Sequence, residues 1–349
     1  MPFSPIILWT DALIYVFLGV VILLINAIRR RPHLLASWKR VGHSASGMSA
    51  LTILLFFLCI GLLDTVHFRP ALEHQNKPGE TIYSVEVLSL LDILVTPLRT
   101  QVEKTYSAPL ATHLYAKETV EQADGRQVRD FARLQYGGAH LQHPDSEHIP
   151  DITQRALTGA LQGLSVWLLL TMGLVLVLSQ RNKQSFTITL STLCRGSTEI
   201  PWNAILLTLL VMLLLIGSTA ALAAHYHVLG TDKVGQDVLY LTLKSIRTAL
   251  VIGTLTTLVT LPIAVSLGLL AGYLGGWVDD VIQYVYTTLN SIPGVLLIAA
   301  AVLMMQVVID THPQWFASSA ERADARLLAL CLILGMTSWT GVARLLRGE

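Results

Sequence analysis

Residues able to do chemistry are few in this chain, and their spacing excludes most enzyme classes. His113, His140, His143 and His148 fall within one polar stretch, and imidazole is the commonest metal-ligating side chain. No carboxylate or cysteine accompanies them at ligand spacing. Gly137-Gly138 and Pro144 mark the stretch as irregular, so no metal site is expected. Cys59, Cys194 and Cys331 stand far apart, with no disulfide or zinc pattern. There is no Gly-x-x-x-x-Gly-Lys-Ser/Thr loop to cradle phosphates, no His-Glu-x-x-His and no Gly-x-Ser-x-Gly. No paired carboxylates sit inside an apolar run. The expectation is a chain that is not an enzyme, with no catalytic residue and no cofactor of its own.

The stretch around which the chain is organised runs from His227 to Leu250, HVLGTDKVGQDVLYLTLKSIRTAL, between two apolar spans. Gly230, Thr231 and Asp232 read as a turn into a helix. Thr231 or Asp232 can cap that helix, because a side-chain oxygen there accepts from unpaired backbone N–H groups. Val234, Val238, Leu241 and Ile246 then fall near one face. Lys233, Asp237, Lys244 and Arg247 stay polar. That pattern predicts a short helix lying in a membrane interface before the chain turns and crosses.

The elements that must position this group are apolar spans. Of 349 residues, 53% are hydrophobic and only 13% charged, against about 25% charged in soluble domains. The class is therefore an all-α integral membrane protein. The net charge of +1 argues against a nucleic-acid partner. Seven spans are predicted: roughly 6–28, 46–63, 161–178, 202–223, 248–270, 281–308 and 327–342. Arg29, Arg30, Arg31, Lys39 and Arg40 follow the first span, so that link is cytoplasmic and the N-terminus external. Asp11 then sits near the outer interface. Arg181, Lys183 and Arg195 mark a second cytoplasmic link. A stretch amphipathic at helical spacing, Val85 to Val102, is kinked or ended at Pro97.

These spans imply five regions. Residues 1–66 hold two transmembrane helices. Residues 67–157 form an external, α-rich or irregular region. Residues 158–224 hold two more helices. Residues 225–247 form the external motif and elbow helix, and 248–349 form the last membrane part.

Three later groups add detail. Gly268, Ala271, Gly272, Gly275, Gly276 and Asp279 lie where the fifth span ends. Small residues permit close helix approach in lipid, paired glycines permit a tight reversal, and Asp279 can cap the next helix. Asn290, Ser291 and Pro293 interrupt the sixth span. Pro frees backbone carbonyls, which must then face protein or water. Two readings stay open: a bend lining a translocation path, or a packing kink. Trp339, Gly341, Ala343, Arg344 and Arg347 close the seventh span at its cytoplasmic end.

The order His227-x-Leu229-Gly230-Thr231-Asp232-x-x-Gly235-x-Asp237-Val238, then Arg247 and Leu250, resembles the permease subunits of peptide-type ABC importers (dipeptide, oligopeptide and nickel systems). The same family has a Gly-x-x-Ala-Gly-Tyr-x-Gly-Gly-x-x-Asp turn, matched through Asp279, and a Trp-x-x-x-Ala-Arg-x-x-Arg end, matched through Arg347. Gln236 stands where the family has Arg, and Ser245 where it has Gly.

The resemblance covers about the last third of the chain. It implies a type I importer transmembrane domain in a bacterial inner membrane, half of a pore. It further implies a second permease subunit, cytoplasmic ATPase subunits and an external solute-binding protein as partners, in a lipid membrane. Energy would enter through ATP binding that biases one permease conformation. In the family a Glu-Ala-Ala-like loop that docks the ATPase comes next, with two further spans. This sequence stops at Glu349, short of that coupling loop. The other readings are a membrane-bound sensor or assembly protein, motivated by residues 67–157, and a non-functional fragment.

Overall fold

A computed structural model describes residues 3–71, 83–121, 127–196, 198–316 and 318–348, without the side chains of Val120, Glu121 and Cys194. The expectation for Cys194 therefore lies outside the described residues. In chain order come β1 (Phe3–Ile6), α1 (Trp9–Arg29), α2 (Pro32–His43), α3 (Ala45–Thr65), β2 (His67–Pro70) and β3 (Leu88–Ser89). Next are α4 (Leu90–Leu94), α5 (Thr96–Thr100) and the hairpin β4 (His113–Glu121) and β5 (Gln127–Arg133). Then follow α6 (Pro144–Asn182), α7 (Phe186–Arg195), α8 (Trp202–Ala223), α9 (Val238–Leu274), α10 (Gly276–Ser291), α11 (Gly294–Thr311) and α12 (Ser319–Gly348). Among the described residues, seven helices are long and apolar enough to cross a membrane: α1, α3, α6, α8, α9, α11 and α12. The chain is an all-α integral membrane protein.

The helix bounds depart from the sequence reading at instructive places. α6 begins at Pro144, well before its apolar run. Pro144 occupies the first turn, where its missing N–H costs nothing. Glu147 reaches back to accept from the N–H of Gln142 and His143 at 3.0 and 3.1 Å. Polar and apolar sequence thus become one 39-residue helix. The sixth predicted span is not a kinked helix but two helices. α10 ends at Ser291, and Pro293 stands before the first turn of α11. Pro293 has no N–H to continue the ladder, and it pushes Ile292 to extended geometry (ψ 125°). Pro97 likewise divides the expected 85–102 helix, which forms only the short α4 and α5. Strands β3, β4 and β5 add sheet structure to the region between α3 and α6.

The chain forms two compact, discontinuous units. The first comprises Met1–Ile25, Gly61–Leu90 and Ile246–Glu349. There β1 and β2 pair antiparallel, Phe3 opposite Pro70, and β2 pairs with β3. Ile14, Val251, Leu255 and Cys331 form one core cluster, joining α1, α9 and α12. Ala264, Trp339 and Ala343 form another, packed by Ile282, Tyr286 and Leu289 of α10.

The second unit comprises Asn26–Ile60 and Leu91–Ser245. Its α6 and α8 cross closely, because small residues let the backbones meet. A Cβ on Gly159 would run into the carbonyl of Gly217, and one on Gly163 into that of Leu213. Trp167 Nε1 donates to the Leu206 carbonyl at 2.8 Å, a bond within the same helix pair. At one end of that pair, Leu141, Leu222 and Tyr226 form a core with Leu110, Ile152 and Val228.

Candidate functional site

In the second unit the turn after α8 closes on a buried ionic triad. His227 is 1% exposed, and each of its ring nitrogens faces a carboxylate. Nδ1 lies 2.7 Å from Asp237 and Nε2 lies 3.4 Å from Glu103. Both partners accept, so both nitrogens donate and the ring is an imidazolium. Burial works against that charge, but the hydrogen bonds and negative charge of Asp237 and Glu103 outweigh it and raise its pKa to about 9. Burial would likewise raise the Glu103 carboxyl. His227 and the backbone N–H of Gln135, Tyr136 and Gly137, at 2.9, 2.7 and 3.2 Å, overcome it and hold Glu103 at about 2.

The loop fits this triad from the backbone upward. Gly235 has φ +79°, and its carbonyl accepts from the Glu103 N–H at 2.9 Å. A Cβ there would overlap the Glu103 carbonyl. Only glycine meets both demands at this position. Thr231 Oγ1 donates to the Thr105 carbonyl at 2.7 Å, and Thr231 bridges both Ser107 and Asp237. Gly230 packs against Ser107, and its carbonyl accepts from Val238 at 3.0 Å. The motif is therefore a clasp that grips residues 103–107.

The cap lies elsewhere than expected. Asp232 Oδ1 accepts from Val234 and Gln236, at 2.9 and 2.8 Å, and so closes the turn. Asp237 Oδ1 accepts from Leu239 and Tyr240, at 2.7 and 3.2 Å, and caps α9. Nor is there a separate elbow helix: α9 runs unbroken from Val238 to Leu274. The Glu103 grip on Gly235 keeps the backbone in a turn until Asp237.

Arg247 belongs to the first unit. Its guanidinium donates to Asp11 from Nε at 3.1 Å and Nη2 at 2.6 Å, and to Thr10 Oγ1 at 3.0 Å. Asp324 lies 3.7 Å away and accepts from Thr10 N–H at 3.1 Å and from the Thr10 hydroxyl. The other Asp11 oxygen meets His67 Nδ1 at 2.9 Å. Asp11 is fully buried in the protein. Its charge is tolerated because Arg247 pairs with it.

The remaining motif residues gather at the α9–α10–α12 corner of the same unit. Arg347 Nη2 donates to Asp279 Oδ2 at 2.6 Å, beside Gln283 at 2.8 Å. Gly268 packs against Ala343, and Gly272 lies over Arg347. Gly275 and Gly276 turn the chain with φ +59° and +54°. Trp339 is buried against Ala264, whereas Arg344 is exposed. Thr340 donates to Asn290 at 3.3 Å, and Ser291 to its own helix at 2.7 Å. Asn290, Ser291 and Pro293 thus mark the α10–α11 break.

Comparison with known proteins finds transport permeases over about a third of the chain. The oligopeptide transport system permease protein of Mycobacterium tuberculosis is 29% identical over 122 residues, 35% of this chain and 36% of that protein. The glutathione transport system permease protein of Pectobacterium atrosepticum is 40% identical over 79 residues, 23% and 26% of the two chains. This chain is similar to peptide-type ABC permeases. A third such permease, the dipeptide transport system protein of Bacillus subtilis, is 28% identical over 123 residues, 35% of this chain and 33% of that one. The chain spans about a quarter to a third of the length of these permeases. No family model and no solved structure matches it.

Sequence reasoning missed Glu103, Thr10, Asp324 and His67. Glu103 lies 124 residues from His227, in a polar stretch with no local signal. The histidines that resembled a metal set go to separate partners. His140 meets Asp151 at 2.8 Å, His148 the Leu110 carbonyl at 2.7 Å, and His113 the Thr112 hydroxyl at 2.9 Å.

Proposed function

We propose that this chain is a permease subunit of a peptide-type ABC importer in the inner membrane of a bacterium, and not itself an enzyme. It moves peptides or a similar small solute by alternating access. ATPase subunits in the cytoplasm drive the cycle, a second permease completes the pore, and an external solute-binding protein delivers cargo. The observation that carries this reading is the 27–40% identity to peptide, dipeptide and glutathione permeases, in a chain with seven helices able to cross a membrane.

In this reading the N-terminus, residues 67–157 and the His227–Asp237 clasp face outward. The clasp holds the external region on the first turn of α9. Arg344 and Arg347 mark the cytoplasmic end near the coupling surface, and Asn290, Ser291 and Pro293 border the path. A break between α10 and α11 suits such a border, because unpaired backbone groups there need water or protein.

The test is uptake of radiolabelled di- and tripeptides by cells with the chromosomal gene intact, deleted or restored. Loss on deletion and recovery on restoration support the proposal. Uptake of peptides, glutathione and related small solutes that is unchanged by deletion would overturn it.

A further inference from the structure

We propose that α2 lies flat in the membrane–water interface and collects anionic phospholipid around it. The sequence of α2, PHLLASWKRVGH, is amphipathic at helical spacing. Leu34, Leu35, Trp38 and Val41 share one face. Lys39, Arg40 and His43 occupy the opposite one. No residue of α2 is buried. On the apolar face, Leu34 is 42% exposed, Trp38 61% and Val41 47%. Among the described residues that face is largely uncovered, apart from the approach of Val41 to Gly47.

Chain connection leaves α2 little choice of surroundings. Two residues, Arg30 and Arg31, separate it from α1, and Ser44 alone separates it from α3. Both neighbours are candidate membrane spans. Three peptide steps reach about 11 Å at most, so α2 starts within headgroup distance of the end of α1. Its length of about 18 Å then runs along the surface, where the apolar face meets acyl chains.

Charge selects the lipid. Arg29, Arg30, Arg31, Lys39 and Arg40 are five fixed cations, and no Asp or Glu occurs between Asp11 and Asp64. Such a cluster beside a span attracts anionic headgroups. Each basic residue at an anionic surface favours it by about fivefold. Trp38 suits the same depth, with an apolar ring and one N–H donor.

The experiment uses the full chain in phosphatidylcholine bilayers containing phosphatidylglycerol. The native cysteines are replaced by alanine, and a bimane is placed on Val41→Cys. Spin-labelled phosphatidylglycerol should quench the probe at least about fivefold more efficiently per molecule than spin-labelled phosphatidylcholine. Lys39→Gln with Arg40→Gln keeps Arg29–Arg31 for topology and should cut that preference by about five- to 25-fold. A probe on Leu54→Cys in α3 should show no preference, which checks that the variants still insert. Equal quenching by both lipids in the parent would overturn the proposal. So would a preference that the double substitution leaves undiminished. A probe at position 41 shielded from both lipids would overturn it too, because protein, such as a second copy, would then cover the face.

Discussion

Around His227 every charged atom has a partner, whereas at the α9–α10 corner one oxygen of Asp279 is buried with none among the described residues. The first site is sealed: His227, Glu103 and Asp237 are each at most 7% exposed. The second is open. Arg347 is 36% exposed, and Gly275 and Gly276 have nothing within 4 Å of an added Cβ. The family resemblance covers both sites, yet the physics differs. A sealed charge network fixes one geometry, because breaking it strands buried charge. A glycine corner with space around it leaves room for a docked partner or for motion. Similar motif strength in a sequence therefore does not mean similar physical roles.

The largest contrast comes from removing one charge at each site. His227→Leu leaves Glu103 and Asp237 buried and unpaired and should cost about 3–5 kcal/mol. The thermal midpoint in detergent should fall, and trypsin should cut residues 103–141 quickly. Asp279→Ala removes a part-exposed pair and should cost about 1 kcal/mol or less. Similar losses for both would erase the distinction.

Next is a comparison of glycines with the same backbone sign. Gly235→Ala meets both a left-handed φ of +79° and the Glu103 carbonyl. It should cost well above the roughly 1–2 kcal/mol of left-handed strain alone. Gly275→Ala meets only the strain, with φ +59° and open space. Unfolding midpoints of the two variants, measured side by side, check this. A larger loss at Gly275 would mean the corner is the tighter site.

A smaller contrast is expected with pH. His227 is raised from 6.5 to about 9, so its contribution is full below about 6.5 and is lost as pH rises through 9. Glu103 is lowered from 4.5 to about 2, so its contribution is full above 4.5 and is lost as pH falls toward 2. The clasp should be firmest at about pH 4.5–6.5. Limited proteolysis of residues 103–141 should accelerate above pH 9, and His227→Leu should abolish that dependence.

The smallest effect concerns the two aspartates of the turn. Asp232→Ala should cost about 0.5–2 kcal/mol and Asp232→Asn less. Asp237→Ala should cost more than either, because it removes both the α9 cap and a partner of His227. Chemical denaturation of the three variants ranks them.

The membrane helices were legible, because apolar runs report burial in lipid directly. The turn at Gly230–Asp232 was legible too, from residue types that favour it. Which aspartate caps α9 was not. Local sequence points to Thr231 or Asp232, and the cap falls instead at Asp237 because the Glu103 N–H holds Gly235 in the turn. The pairing of Asp11 was not legible, because its partner Arg247 lies 236 residues away. The close crossing of α6 and α8 was hidden for the same reason. Gly159 and Gly163 make a recognisable spacing, but nothing local pairs them with Gly217. Contacts between distant residues carry no periodic signal.

Hydrogen–deuterium exchange on the full chain in lipid nanodiscs tests the sealed-and-open contrast most directly. The N–H groups of Gln135, Tyr136, Gly137 and Leu239, bonded to the buried carboxylates, should exchange slowly and lose protection in His227→Leu. Those of Gly276, Trp277 and Gly294, at the corner and the helix break, should exchange fast and ignore that substitution. Rapid exchange at residues 135–137 in the unmodified chain, or slow exchange at the corner, would contradict this account.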